Sequence, residues 1–140
     1  MDESMKRGTK PVALALLTLA ATATGQPGLA VERLQGAWAT SAASCDQVFA
    51  KRNGQLVFKH SAEGWSGFIA TGKHIRGAHA TCDVISSKQK GDVLTVLLGC
   101  KTAVIFETST VSVRFKPDGD VLRFDPEFPE VETSYHRCDK

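Results

Sequence analysis

The chain lacks complete motifs for nucleotide, metal and covalent chemistry. It holds neither a full P-loop, G-x-x-x-x-G-K followed by Ser or Thr, nor the dinucleotide pattern G-x-G-x-x-G. Its four cysteines include no C-x-x-C pair, which argues against a zinc site. The segment Gly64-Trp65-Ser66-Gly67 is one residue too short for a nucleophile elbow. We therefore expect a protein that is not an enzyme and that carries no cofactor and no metal.

A hydrophobic run long enough to span a membrane is also missing. The apolar run Pro11 to Ala21 falls short of the roughly 20 residues that a spanning helix needs. Basic residues between Lys6 and Lys10 precede it, and small residues follow it. This order is typical of a secretory signal. We predict that residues 1–23 are removed, that the mature protein is periplasmic or secreted, and that it has no stable membrane insertion.

A strong charge of one sign is absent, since the formal net charge is only +2. With no aromatic-basic motif either, nucleic acid is not expected as a partner. The charge is unevenly distributed, because residues 51–101 hold eight Lys and Arg against three Asp and Glu, and residues 102–140 hold five against eight. A solvated surface accounts for this, and the alternative is a basic patch for an anionic partner.

Four cysteines are present, and all follow the predicted signal. An even number in a short exported chain predicts two disulfides. Cys82 and Cys100 flank two β-prone runs joined by a polar turn, and a turn centred on Gly91 places them opposite each other. Cys45 is then left with Cys138. In the chain-entropy model, loops of these sizes contribute about 3 and 4.6 kcal/mol to stability.

The residues between the cysteines alternate between short strand patterns and turns. Val111, Val113 and Phe115 alternate with polar residues, which indicates a sheet with one buried face. We predict an all-β domain over residues 34–140, after a flexible lead-in at 24–33. Its seven or eight strands form a small antiparallel up-and-down barrel, because closure removes exposed edges. Pro126 and Pro129 predict a loop before the last strand, Thr133 to Cys138.

The stretch after Thr40 supports two interpretations. Ser44-Cys-Asp-Gln47 matches a helix capping box, which predicts a short helix near residues 45–52. Asn53-Gly54, between Phe49 and Leu56, is also a strong hairpin turn. We prefer the helix of one or two turns and keep the hairpin as the alternative.

Gly36-Ala37-Trp38 on the first predicted strand resembles the G-x-W of lipocalins and related calycin barrels. The bacterial metalloprotease inhibitors of the calycin group begin with the same strand. The chain is also similar to small exported bacterial proteins of unassigned function with a G-x-W-A start and a Y-x-R-C end. The resemblance implies a calycin-like barrel in which Arg137 packs over Trp38, and both residues are then structural.

These observations predict a non-catalytic binding or interaction module of the bacterial cell envelope. Its partner is expected to be a protein or a small apolar ligand. A calycin-type peptidase inhibitor is the alternative, with residues 24–33 as the inserting segment, and a small-molecule carrier is a second alternative. Trp65, flanked by Gly and Ser, is the candidate binding anchor, because interfaces favour tryptophan.

Overall fold

The computed structural model describes residues 31–63 and 66–139. Its regular structure is almost entirely antiparallel β-strand, with helical residues at Val31 and Glu32, a 3-10 turn at Ala42–Ser44 and a short helix, α1, at Cys45–Val48. The strands are β1 Gly36–Ala39, β2 Phe49–Arg52, β3 Gln55–Phe58, β4 Gly67–Thr71, β5 His74–Arg76, β6 Thr81–Lys90, β7 Val93–Lys101, β8 Phe106–Phe115, β9 Val121–Asp125 and β10 Phe128–Arg137.

Eight of these strands close into one antiparallel barrel. The order around the barrel is β1-β10-β9-β8-β7-β6-β5-β4, so β1 joins the last strand on one side and β4 on the other. Strands β4 to β10 follow one another as neighbours, which is up-and-down connectivity. The prediction of a small all-β barrel with one short helix is confirmed. The predicted signal, residues 1–23, lies outside the described residues.

The barrel interior is filled by the inward-facing members of each strand. Leu94 and Trp38 are at most 1 % exposed, and Val96, Val121 and Tyr135 are also buried. Phe68 packs edge-on against Tyr135, with ring centroids 5.1 Å apart. A barrel of this size leaves an interior that side chains can fill, and these side chains fill it.

The preferred interpretation of residues 45–52 is only partly right. Helix α1 ends at Val48, and residues 49–52 form β2 instead of continuing the helix. Asn53 and Gly54 both have positive φ, +50° and +77°, and make the two-residue turn to β3. A turn of this kind matches the twist of the two strands that it joins, and so favours a hairpin. The four residues between the end of α1 and the turn therefore form a strand that pairs with β3. The hairpin turn forms as the alternative interpretation has it, whereas the capping box does not. Ser44 makes no side-chain capping hydrogen bond, and Ser41 Oγ instead accepts from Ser44 N at 3.1 Å.

Two further boundaries differ from the sequence prediction. The segment from His74 to Ser86 is divided at residues 77–80 into β5 and β6, which pair with each other. Pro129 lies inside β10, where the β9–β10 register shifts between Phe128 and Glu132. A proline is tolerated there because the irregularity requires no donor from it. The predicted loop is therefore only the tight turn around Pro126.

The structure pairs Cys82 with Cys100 and Cys45 with Cys138. The first pair is directly opposed in the β6–β7 ladder, with Cα atoms 4.0 Å apart. The hairpin turn itself is not centred on Gly91, because Lys90 faces Val93 across the turn. A bulge at residue 85 shifts the register by one and restores the Cys82–Cys100 opposition. The expected pairing is thus reached through a compensating irregularity.

A second, smaller core lies outside the barrel wall. Ala37 and Ala39 point outward from β1, and the β2–β3 hairpin packs Phe49 and Phe58 over them. The rings of Phe49 and Phe58 are 5.0 Å apart between centroids. The Cys45–Cys138 disulfide joins α1 to the end of the last strand at this cluster. The hairpin is thereby held against the outside of β1 and β4.

Candidate functional site

A concave surface lies between the β2–β3 hairpin and the barrel wall. We call it the hairpin groove, and its volume is about 1140 Å³. Sites for drug-sized ligands are typically about 300–1,000 Å³, so this groove has room for a polypeptide segment. It exists because the hairpin covers β1 and part of β4 and leaves β5 and β6 open.

The barrel wall supplies the floor of the hairpin groove. Ile69 and Thr71 on β4, His74 and Arg76 on β5, and Thr81 on β6 line it. The pairing places Ile69 beside Arg76, and Arg76 beside Thr81. These residues therefore form one contiguous patch on the outer face of the sheet, apolar at β4 and polar towards β6.

The hairpin supplies the opposite side of the groove, which is formed by the edge of strand β3. The consecutive residues Gln55, Leu56 and Val57 all line the groove, whereas one face of a strand shows only every second residue. The backbone N–H of Lys59 donates to Val48 O at 2.8 Å, on the β2 side. By alternation, the N–H and C=O of Leu56 point away from β2. Strand β3 pairs only with β2 in the described part of the chain, so this edge is open.

Two cations in the groove have no acidic partner among the described residues. Lys51 lies on the barrel-facing side of the hairpin, opposite Leu56 and on the same face as Phe49. Arg76 lies across the groove on β5. The described salt bridges involve neither side chain. A groove with two unpaired cations attracts carboxylate groups, and its walls strengthen that attraction.

Some of the other polar groups in the groove are paired, whereas Asp46, which lines the groove beside Cys45, takes part in none of the described salt bridges. His74 Nδ1 lies 2.5 Å from Asp83 Oδ1, and both side chains are exposed. At the β1 end, Asp139 is 3.6 Å from Arg137. The described residues contain no cluster of three or more His, Cys, Asp and Glu side chains that could hold a metal ion. The arrangement favours binding by hydrogen bonds and charge.

One near-motif in this region is explained by the fold. Gly67 to Lys73 has the spacing G-x-x-x-x-G-K, but His74 follows where a P-loop has Ser or Thr. The segment is strand β4 and its turn into β5. A P-loop wraps phosphates at the start of a helix, and here a strand follows. The spacing therefore carries no phosphate site.

Trp38 and Arg137 lie opposite each other where β1 pairs with β10. The guanidinium carbon of Arg137 is 4.4 Å from the centre of the Trp38 ring. Arg137 also donates to Gln35 O at 2.6 Å, and Trp38 Nε1 donates to Leu34 O at 2.8 Å. Gly36 has a φ of +116°, and a Cβ there would lie 2.8 Å from Arg137 Nη1. The Asp139 carboxylate would lie closer still, and the positive φ by itself favours glycine at this position.

The other sequence-predicted site residues fall in different places. Cys45 and Cys138 line the β1 end of the hairpin groove. Cys82 and Cys100 pack against the main core instead. Trp65 lies outside the described residues, so its role as an anchor stays a prediction. Lys51, Leu56 and Arg76 were missed. The excess of basic residues in 51–101 was a usable signal for the two cations, and Leu56 had none.

Comparisons with protein-family models, curated proteins and solved structures find no match to this chain. Within the described ranges, no helix has the length and apolar character needed to cross a membrane. The fold and the groove define a small disulfide-bonded β-barrel with a hairpin packed on its outer wall. Its functional assignment therefore depends on the chemistry of that groove.

Proposed function

We propose that this protein is an exported, non-catalytic binding module, and that the hairpin groove holds an extended, acidic segment of a protein partner. The observation that carries this proposal is that the open edge of β3 and two unpaired cations line the same groove. An extended peptide can add to an open strand edge through backbone hydrogen bonds. Its side chains then alternate between the two sides of the groove.

Each part of the groove has a role in this binding mode. Leu56 offers one N–H and one C=O to the incoming backbone. Lys51 and Arg76 pair with carboxylates on the partner, and Ile69 provides apolar contact. The two disulfides are compatible with an oxidising compartment outside the cytoplasm. The Cys45–Cys138 bridge also holds the groove in shape before binding, which lowers the entropy cost of association.

The two alternative functions receive less support. A carrier would use the barrel interior, and in the described part of the chain that space is occupied by side chains such as Trp38 and Leu94. A peptidase inhibitor would insert residues 24–33, of which 31–33 are described. Val31 packs into the main core and Arg33 stacks over Phe115, at 3.8 Å from the ring centre.

Reversing one charge inside the groove should weaken binding of an acidic probe. The probe is a seven-residue peptide that alternates glutamate with valine and threonine. We expect Lys51→Glu to raise its Kd about tenfold or more, because an attraction becomes a repulsion and each 1.4 kcal/mol is tenfold. Isothermal titration calorimetry at about 0.15 M salt, where the Debye length is about 8 Å, measures this.

Arg52→Glu is the matched control for this experiment. Arg52 is the next residue on the same strand, is also exposed, and lies outside the groove lining. Both variants change the net charge equally, so the control should bind the peptide within about threefold of wild type. Equal weakening by the two variants would mean that net charge, and not the groove, attracts the peptide.

A further inference from the structure

Strand β8 has an unpaired edge over its first half. Strand β9 pairs only with residues 112–115 of β8 and then turns at Pro126. Residues 106–111 pair with β7 on one side and have no strand partner on the other in the described part of the chain. Residues 106–110 are all exposed.

The backbone groups on this edge can be assigned by alternation. Phe115 N donates to Asp92 O on the β7 side, at 3.1 Å, and Lys116 N donates to Asp120 O on the β9 side, at 2.9 Å. Even-numbered residues of β8 therefore direct their N–H and C=O groups towards β9. Beyond the end of β9, Phe106, Thr108 and Thr110 direct them to solvent.

The edge lacks the features that normally protect an exposed strand. Such strands usually carry charged residues, lysine above all, or proline, and residues 106–111 contain one charge, Glu107, with neither lysine nor proline. Apolar side chains surround it instead, because Ile85, Val104, Ile105 and Phe106 are 56–89 % exposed. The adjoining turn is held in place, since Thr102 Oγ1 accepts from Val104 N and Ile105 N at 3.3 and 3.2 Å.

We propose that this edge pairs antiparallel with the same edge of a second copy of the protein. The three residues with free backbone groups are symmetric about Thr108, so a two-fold axis through Thr108 uses all of them. Phe106 then faces Thr110 of the other copy, and Glu107 faces Ser109. The only charged side chain of the segment therefore has no like charge directly opposite it, which is the condition for stable cross-strand pairing.

The interface is small, which sets the strength of the association. Five residues of strand and a few apolar neighbours bury less than the roughly 1,200 Å² of a standard stable interface. The dimer should therefore be weak and should depend on protein concentration. This inference concerns β8 and is independent of the hairpin groove on β3.

The two-fold axis makes a sharp test possible at Thr108. Thr108→Lys places two lysines directly opposite each other, and Thr108→Glu does the same with two carboxylates, so each variant alone should lose self-association. An equimolar mixture should associate again, because lysine then faces glutamate. Thr108→Val keeps the backbone edge and should dimerise within about threefold of wild type. Sedimentation velocity over a range of concentrations measures all four.

The self-association measured for the wild-type protein and the Thr108 variants decides whether the β8 edge forms the dimer. Loss in each charged variant, at least about tenfold in Kd, with recovery in the mixture supports the proposal. Wild-type protein that stays monomeric at millimolar concentration overturns it, as does a dimer that both charged variants leave unchanged. Binding of the acidic peptide to Lys51 and Leu56 should be the same in all variants, so failure here leaves the groove proposal standing.

Discussion

Replacing Trp38 with alanine should lower the free energy of unfolding by about 3–5 kcal/mol, the range for truncating a large buried aromatic. Trp38 is 1 % exposed, stacks against Phe68 and lies beneath Arg137. The variant leaves a cavity in the core and also leaves Leu34 O without its donor. Urea unfolding followed by circular dichroism measures the change.

Two further variants make the Trp38 result specific. Trp38→Phe keeps most of the apolar volume but loses the indole N–H, so it should cost only about 1–3 kcal/mol. Phe128→Ala removes a ring that is 57 % exposed, and it should cost less than about 1 kcal/mol. If Trp38→Ala unfolds at the same urea concentration as wild type, the proposed structural role of Trp38 is wrong.

Removing the Cys45–Cys138 disulfide should have an effect of similar size. The bridge closes a loop with a sequence separation of 93 residues, for which the chain-entropy model gives about 4.6 kcal/mol. The double variant Cys45→Ala, Cys138→Ala should melt roughly 15–25 °C below wild type. It should also loosen the hairpin, because the disulfide joins α1 to the end of β10 at the outer core.

The second disulfide provides the comparison for the first. Cys82–Cys100 spans 18 residues within one hairpin, so its removal should cost about 3 kcal/mol and leave the hairpin groove intact. Differential scanning calorimetry and peptide titration on both double variants test this. Equal loss of peptide binding in the two variants would contradict the view that Cys45–Cys138 positions the groove.

The barrel was predictable because its signals are local. Alternation in Val111, Val113 and Phe115 marks a buried face, and those residues are buried. The opposition of Cys82 and Cys100 was also predicted, but from a turn centred on Gly91. In the structure the turn is centred between Gly91 and Asp92. The bulge at residue 85 that corrects the register has no signature in a single sequence. The predicted cysteine pair is thus correct, but the prediction did not include the bulge that brings the two residues opposite each other.

The hairpin groove was not predictable, because it depends on how distant elements pack. Its clearest sequence trace is Ala37-Trp38-Ala39, where apolar residues occupy both faces of one strand. A strand with two apolar faces must be covered on both sides, and the hairpin supplies the second cover. The open edge of β3 follows from that packing and from the end of α1 at Val48. No local pattern specifies it.

The most direct test of the proposed function is amide hydrogen exchange at Leu56, followed by NMR with and without the acidic seven-residue peptide. Strand addition in the hairpin groove predicts that the Leu56 N–H exchanges at least about tenfold more slowly at saturating peptide, because it becomes a hydrogen-bond donor to the peptide backbone. A counterpart with lysine in place of glutamate should give no protection at the same concentration. If the acidic peptide binds and Leu56 exchange is unchanged, the groove is not where this protein holds its partner.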